Sequence, residues 1–178
     1  MAGIPPAQSL TQLADMDVMF AEAERNGRVG LARKVKPVDV RPAKRGEIVI
    51  TIIKGEGEET RSPPAKKGDM VVRNRCPETG NEEILVAKAK FAERYEGPTG
   101  GGPAAPWKEY RPLGKDMLFW RLGPSDGPLT FTAPWGGMMT ANADDVIVRD
   151  PKDAKDTYRI AGAAFACTYE VVRAPKAG

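Results

Sequence analysis

Short runs of apolar residues, rich in β-branched and aromatic types, recur along the chain between clusters of glycine, proline, asparagine and aspartate. This pattern predicts many short strands joined by turns. Within Gly46 to Gly55 the run Ile48 to Ile53 is almost entirely β-branched and is expected to be a strand buried on both faces. The polar stretch Gly55 to Asp69 reads as a loop, followed by a strand at Met70 to Asn74, a loop at 75–81 and a returning strand at Glu82 to Val86. Ala87 to Tyr95 then changes period: good helix formers carry Phe91 and Tyr95 four residues apart, so a short helix pinned to the sheet by two aromatics is predicted. Met117 to Trp120 and Leu129 to Ala133 read as strands, Asp145 to Ala161 as a second hairpin, and the residues around Phe165 and Tyr169 as a second short helix. Near the start, Ser9 or Thr11 is placed to cap a helix ending at about Arg25 before Asn26-Gly27. Its apolar face is ragged, so it is read either as a helix on the domain edge or mobile arm, or as a docking helix for a partner.

The pattern is written twice. Residues 68–74 and 82–96 align without internal gaps with 144–150 and 156–170, and 9 of 22 positions are identical, where composition alone gives about one or two. The expectation is therefore an α+β, β-rich chain of two homologous small modules, each a sheet with a short helix, packed with pseudo-twofold symmetry. An N-terminal arm or helix covers 1–32, module copies cover 33–97 and 107–172, and a tail covers 173–178. Residues 98–106, dominated by Gly, Pro and Ala, read as the linker between copies.

Composition adds limits. The 16 prolines and 19 glycines fit short elements and turns rather than a helical bundle. A net charge of +3 from 27 basic and 24 acidic residues is too balanced to name a polyanion partner by itself. Cys76 and Cys167 fall at non-equivalent places in the two copies and lack a CxxC spacing, so they read as unpaired thiols in a reducing compartment. No secretory leader and no long apolar window stands out, which makes the cytoplasm the expected location and gives no reason to expect membrane contact.

The repeated order of a Gly-Asp turn, a Val-Val strand, a polar loop, a second strand and Phe-x-x-x-Tyr-Glu resembles the C-terminal part of small phage and prophage proteins of unknown function. The upstream Arg33-Lys34-Val35-Lys36-Pro37-Val38 is similar to the basic Lys-Pro-Val opening of those proteins. Met70 and Val146 stand where that family usually has an aromatic, and Asp144 replaces the turn glycine. The resemblance implies an architecture and a mobile-element origin, and no catalytic residue.

The chain has no histidine, which removes the commonest general base and metal ligand together with any Ser-His or Cys-His pair. No cofactor motif is present, and the reading favours binding over catalysis. The crowded Asp144, Asp145, Asp150, Asp153 and Asp156 lack the alternate-residue spacing of a calcium loop and are read as turn and cap residues. The repeated Asp69 and Asp145 are expected to accept turn N–H groups, and Glu96 and Glu170 to pair with Arg73 and Arg149. Two candidate surfaces remain where the copies differ. Trp135, Met138 and Met139, with Trp107, form a candidate site for a protein partner, or else bury the seam between copies. Arg33, Lys34, Lys36, Arg41, Lys44 and Arg45 form the alternative, a phosphate-contacting site for nucleic acid, against the reading of a basic edge strand that resists aggregation. A carboxylate- or metal-dependent enzyme has the least support.

Overall fold

A computed structural model describes residues 13–177 and shows a chain in which strand outweighs helix. The elements in order are α1 (Met16–Arg25), β1 (Val29–Lys34), β2 (Val38–Pro42), β3 (Ile50–Ile53), β4 (Gly57–Arg61), β5 (Met70–Asn74), β6 (Glu83–Val86), α2 (Lys88–Arg94), β7 (Tyr95–Gly101) and β8 (Lys108–Pro112). They continue as β9 (Asp116–Arg121), β10 (Leu129–Thr132), β11 (Met138–Ala141), β12 (Val146–Asp150), β13 (Asp153–Ile160), α3 (Gly162–Thr168) and β14 (Tyr169–Arg173). Two five-stranded antiparallel sheets result. One takes all its strands from 38–112 in the order β6-β5-β2-β8-β7, and we call it the continuous sheet. The other, the split sheet, runs β13-β12-β9-β1-β14 and draws its fourth strand from the opposite end of the chain. The hairpins β3–β4 and β10–β11 stand apart as two-stranded sheets.

The two orders match in connectivity at four of the five places. A hairpin before the short helix forms one edge (β5–β6, β12–β13), the strand after the helix forms the other (β7, β14), and the place beside that strand goes to β8 or to β1. β8 reaches its place through a simple hairpin from β7, whereas β1 is inserted between β9 and β14 from far away in sequence. Gly30 permits this insertion: a Cβ there would meet the Arg173 carbonyl at 2.5 Å and the Phe119 ring at 2.6 Å. The residues after β14 return to the turn between α1 and β1, where the Ala177 N–H donates to the Gly27 carbonyl at 2.9 Å.

The split sheet is buried on both faces because β9 and β12 are apolar at consecutive positions rather than alternating. Trp120, Leu122 and Ile147 pack on one face under α1 and the β10–β11 hairpin, with Phe20, Phe131 and Met139. Met117, Phe119, Val146 and Val148 pack on the other with Ala32 and Phe165. In the continuous sheet Val38, Val40, Val72 and Tyr95 form the core beside Phe91 and Tyr110. The aromatic pairs predicted from sequence form in both places, with Phe91 and Tyr95 stacked at 5.3 Å and Phe165 and Tyr169 at 5.0 Å.

Several expectations change. Within the segment read as an arm or edge helix, the described residues pack into the fold: Phe20 is 2% exposed in the core and β1 lies inside a sheet. Asp15 caps α1 by accepting the Asp17 and Val18 N–H groups, while Ser9 and Thr11 lie outside the described residues. The β3 run is a hairpin strand with Ile50 and Ile52 exposed, not a doubly buried one, and its partner β4 falls in the polar stretch expected to be a loop. Gly55 and Gly57, at φ +85° and +93°, make the turn between them. The Gly/Pro stretch expected as a linker begins as β7, an edge strand whose prolines and glycines need pair on one side only. Finally, Cys76 and Cys167 form a disulfide, with Cα atoms 6.1 Å apart. It joins the loop after β5 to α3, so the thiols are neither free nor distant.

Candidate functional site

Asp69 organises one end of the continuous sheet. Its Oδ2 accepts the Lys66 N–H at 2.8 Å, its Oδ1 accepts the Lys88 N–H at 3.1 Å, and its carbonyl accepts the Ala43 N–H at 2.9 Å. The Gly46 N–H donates to the Ala65 carbonyl and the Ala65 N–H to the Glu47 carbonyl, both at 2.8 Å. One residue thus ties together three segments, two through its carboxylate and one through its carbonyl, and those segments carry Lys44, Arg45, Lys66, Lys67 and Lys88. All five are exposed, and among the described residues none has a carboxylate within ion-pair distance. The local motif is the Gly68-Asp69 turn, with Gly68 at φ +93°.

Beside this corner lies a groove of about 640 Å³ lined by Arg41, Lys44, Arg45, Glu47 and Trp107. The Arg41 guanidinium forks onto Glu47 at 3.0 and 2.6 Å, and the Lys44 N–H adds a bond at 2.9 Å. The Arg41 hydrogen bonds first, then the Lys44 N–H, hold the Glu47 carboxyl down to about 2, so it is a fixed counter-ion rather than a proton acceptor. The Trp107 indole rests against two guanidinium groups, Arg73 at 4.1 Å and Arg41 at 5.4 Å from its centre. Arg73 in turn lies 3.8 Å from the buried Asp39, which also accepts Arg75 at 2.9 Å. Chemically the corner offers surplus cations and a braced aromatic face.

The structure divides the six basic residues expected to act together. Arg33 pairs with Asp116 at 3.0 Å, Lys34 donates to the Tyr95 hydroxyl at 2.9 Å, and Lys36 reaches Cys167 Sγ at 3.5 Å. The chain crosses from the split to the continuous sheet between Lys34 and Val38, and only Arg41, Lys44 and Arg45 reach the groove. They meet Trp107 there, a residue the sequence had grouped with Trp135. Of that other group, Trp135 at 41% and Met138 at 58% are exposed at the tip and flank of the β10–β11 hairpin. Met139, 3% exposed, faces the core beside Phe131 and is no contact residue, because the strand alternates.

Lys66, Lys67 and Lys88 were missed, although the repeated Gly-Asp signal marked the turn that gathers them. Glu96 and Glu170 are exposed and do not pair with the arginines; Arg149 instead bonds Thr157 and Asp17 and lies over Phe20. The crowded aspartates serve as turn acceptors and ion-pair partners: Asp145 takes the Asn142 N–H, Asp150 takes Lys115 and the Lys152 N–H, and Asp156 holds Arg94. Among the described residues no helix is long and apolar enough to cross a membrane. The chain matches no known protein family, and no characterised protein or solved structure is significantly similar to it.

Proposed function

We propose that this is a non-enzymatic binding protein that holds a phosphate-bearing strand, a single-stranded nucleic acid, against the basic corner of the continuous sheet. The observation that carries this reading is the convergence of five exposed cations without carboxylate partners on segments fastened by Asp69, next to a groove with an aromatic wall. Backbone phosphates need such cations, and a base can stack on an indole held by its neighbours. Fluorescence anisotropy with a labelled oligothymidine tests it. Affinity falls with salt at a slope of about 0.7 per phosphate neutralised. Absence of binding at low salt overturns the proposal.

A second reading places a protein partner on the β10–β11 hairpin, and the exposure of Trp135 and Met138 favours it. It predicts binding that is insensitive to salt and abolished by Trp135→Ala. For ancestry, we propose tandem duplication of a phage-type module, with the two copies packed about a pseudo-twofold axis. The matching strand orders and the equivalent roles of Asp69 and Asp145 support it.

A further inference from the structure

The disulfide lies in unusual company. The Glu78 carboxylate oxygen Oε2 stands 3.4 Å from Cys76 Sγ and 3.5 Å from Cys167 Sγ, and the Lys36 ammonium stands 3.5 Å from Cys167 Sγ. A disulfide has no S–H to donate, so a carboxylate against both of its sulfurs gains nothing from them. With the bond reduced, the same three atoms become a ligand set, all within 4.8 Å of one another. A tetrahedral zinc ion with bonds of about 2.3 Å to sulfur and 2.0 Å to oxygen has sulfur–oxygen edges of about 3.5 Å and a sulfur–sulfur edge of about 3.8 Å. Glu78 already satisfies both sulfur–oxygen edges, and only the sulfurs need to part.

We propose that the reduced form binds one thiophilic divalent cation, of the zinc class, through Cys76, Cys167 and Glu78. Two thiolates and a carboxylate bring three negative charges, which the cation and Lys36 together balance. Lys36, 3.5 Å from Cys167 Sγ, steadies that sulfur once it is ligated. Cys76 is buried whereas Glu78 is exposed and Cys167 half-exposed, which leaves the fourth coordination position toward solvent. A dithiol reductant gives two electrons and two protons to the disulfide and becomes a disulfide itself. The cation then displaces the two thiol protons. Oxidised and metal-bound forms are mutually exclusive states of one site that joins the two sheets.

The test is anaerobic titration of the full chain with Co²⁺, before and after reduction. A sulfur-to-cobalt charge-transfer band with tetrahedral d–d bands, saturating at one ion per chain and bleached by Zn²⁺, is expected only after reduction. Cys76→Ser and Cys167→Ser remove the band, and Glu78→Gln weakens Co²⁺ binding about tenfold or more. If reduction unfolds the chain, Zn²⁺ restores its circular dichroism, because binding energy becomes folding energy. The proposal is overturned by a reduced chain that shows no such band, by Glu78→Gln binding Co²⁺ as well as the parent, or by a reduced, unfolded chain that Zn²⁺ leaves unfolded.

Discussion

The corner around Asp69 and its aligned counterpart around Asp145 use one backbone device for opposite ends. In both, a carboxylate accepts the N–H three residues upstream, from Lys66 in one and Asn142 in the other, each at 2.8 Å. At the first corner the surrounding segments carry lysine and arginine that point to solvent. At the second, the same offsets place Asn142, Ala143 and Gly162 where the lysines stand, Gly123 and Pro124 follow the Leu122 N–H that the Asp145 carbonyl accepts, and the carboxylate turns inward: Arg159 Nε lies 2.8 Å from Asp145, close though not aligned for a hydrogen bond. The Glu59 carboxylate lies 3.7 Å from the same nitrogen and accepts the Ala161 N–H at 3.0 Å. The repeated aspartate is therefore scaffold, and what differs around it decides whether the corner meets solvent or fastens the β3–β4 hairpin to the split sheet.

The largest effect that separates the corners is on stability. Asp145→Ala leaves buried Arg159 with the Thr140 carbonyl and two more distant glutamates in place of its nearest carboxylate, and is expected to cost about 3–5 kcal/mol in urea unfolding. Asp69→Ala loses two N–H acceptors, for about 1–3 kcal/mol. Equal losses would show that Arg159 does not set the second corner apart. Next comes a dependence on pH. Burial raises the Glu59 carboxyl to about 7, more than Arg159 and the Ala161 N–H lower it. The folded state then binds the extra proton, so stability is full below the unfolded value near 4.5 and declines as pH rises through 7. Glu59→Gln flattens that decline and leaves the variant about 1–3 kcal/mol more stable than the parent at pH 8; an unchanged pH profile would refute the buried acid.

Smaller effects concern the solvent-facing corner. Lys44→Glu with Arg45→Glu lowers affinity for oligothymidine about tenfold or more at low salt and flattens the salt slope. The same two charge reversals placed at the exposed Lys152 and Lys155 change affinity far less, unless net charge rather than the corner attracts the strand. Trp107→Ala gives the smallest change, a few-fold loss worth about 1 kcal/mol with the salt slope preserved, because stacking is not ionic. A Trp107→Ala variant that lowers the slope instead would mean that the indole positions Arg41 and Arg73 rather than a base.

Local signals in the sequence carried the parts of the fold that local energetics decide. The strands at 70–74 and 146–150, both short helices with their stacked aromatics, and the turn role of Asp69 and Asp145 were legible because side-chain period and turn chemistry act within a few residues. Long-range pairing was not. β4 contains Gly57, Glu58, Glu59 and Thr60, with no apolar alternation, and becomes a strand because β3 stands opposite it. β7 is glycine-rich and extended because β8 pairs with it. The disulfide needed the juxtaposition of the β5 loop with α3, which no spacing encodes. The basic corner was half legible: Arg41, Lys44 and Arg45 showed as a run, while Lys66, Lys67 and Lys88 joined them only through the Asp69 hydrogen bonds.

The insertion of β1 also bears on synthesis. Everything in the continuous sheet has left the ribosome by Pro112, when β1 has already been waiting for partners that start ~80 residues after it. At about 5–20 residues per second that wait is roughly 4–16 s before β9 emerges, and longer before β14. The nascent chain thus presents one finished half tethered to an orphan strand bearing Ala32, whose native environment is fully buried. Emergence of β9 and β14, not its own translation, lets that strand settle, and a product stalled before β9 would carry a complete sheet preceded by a strand without its partners.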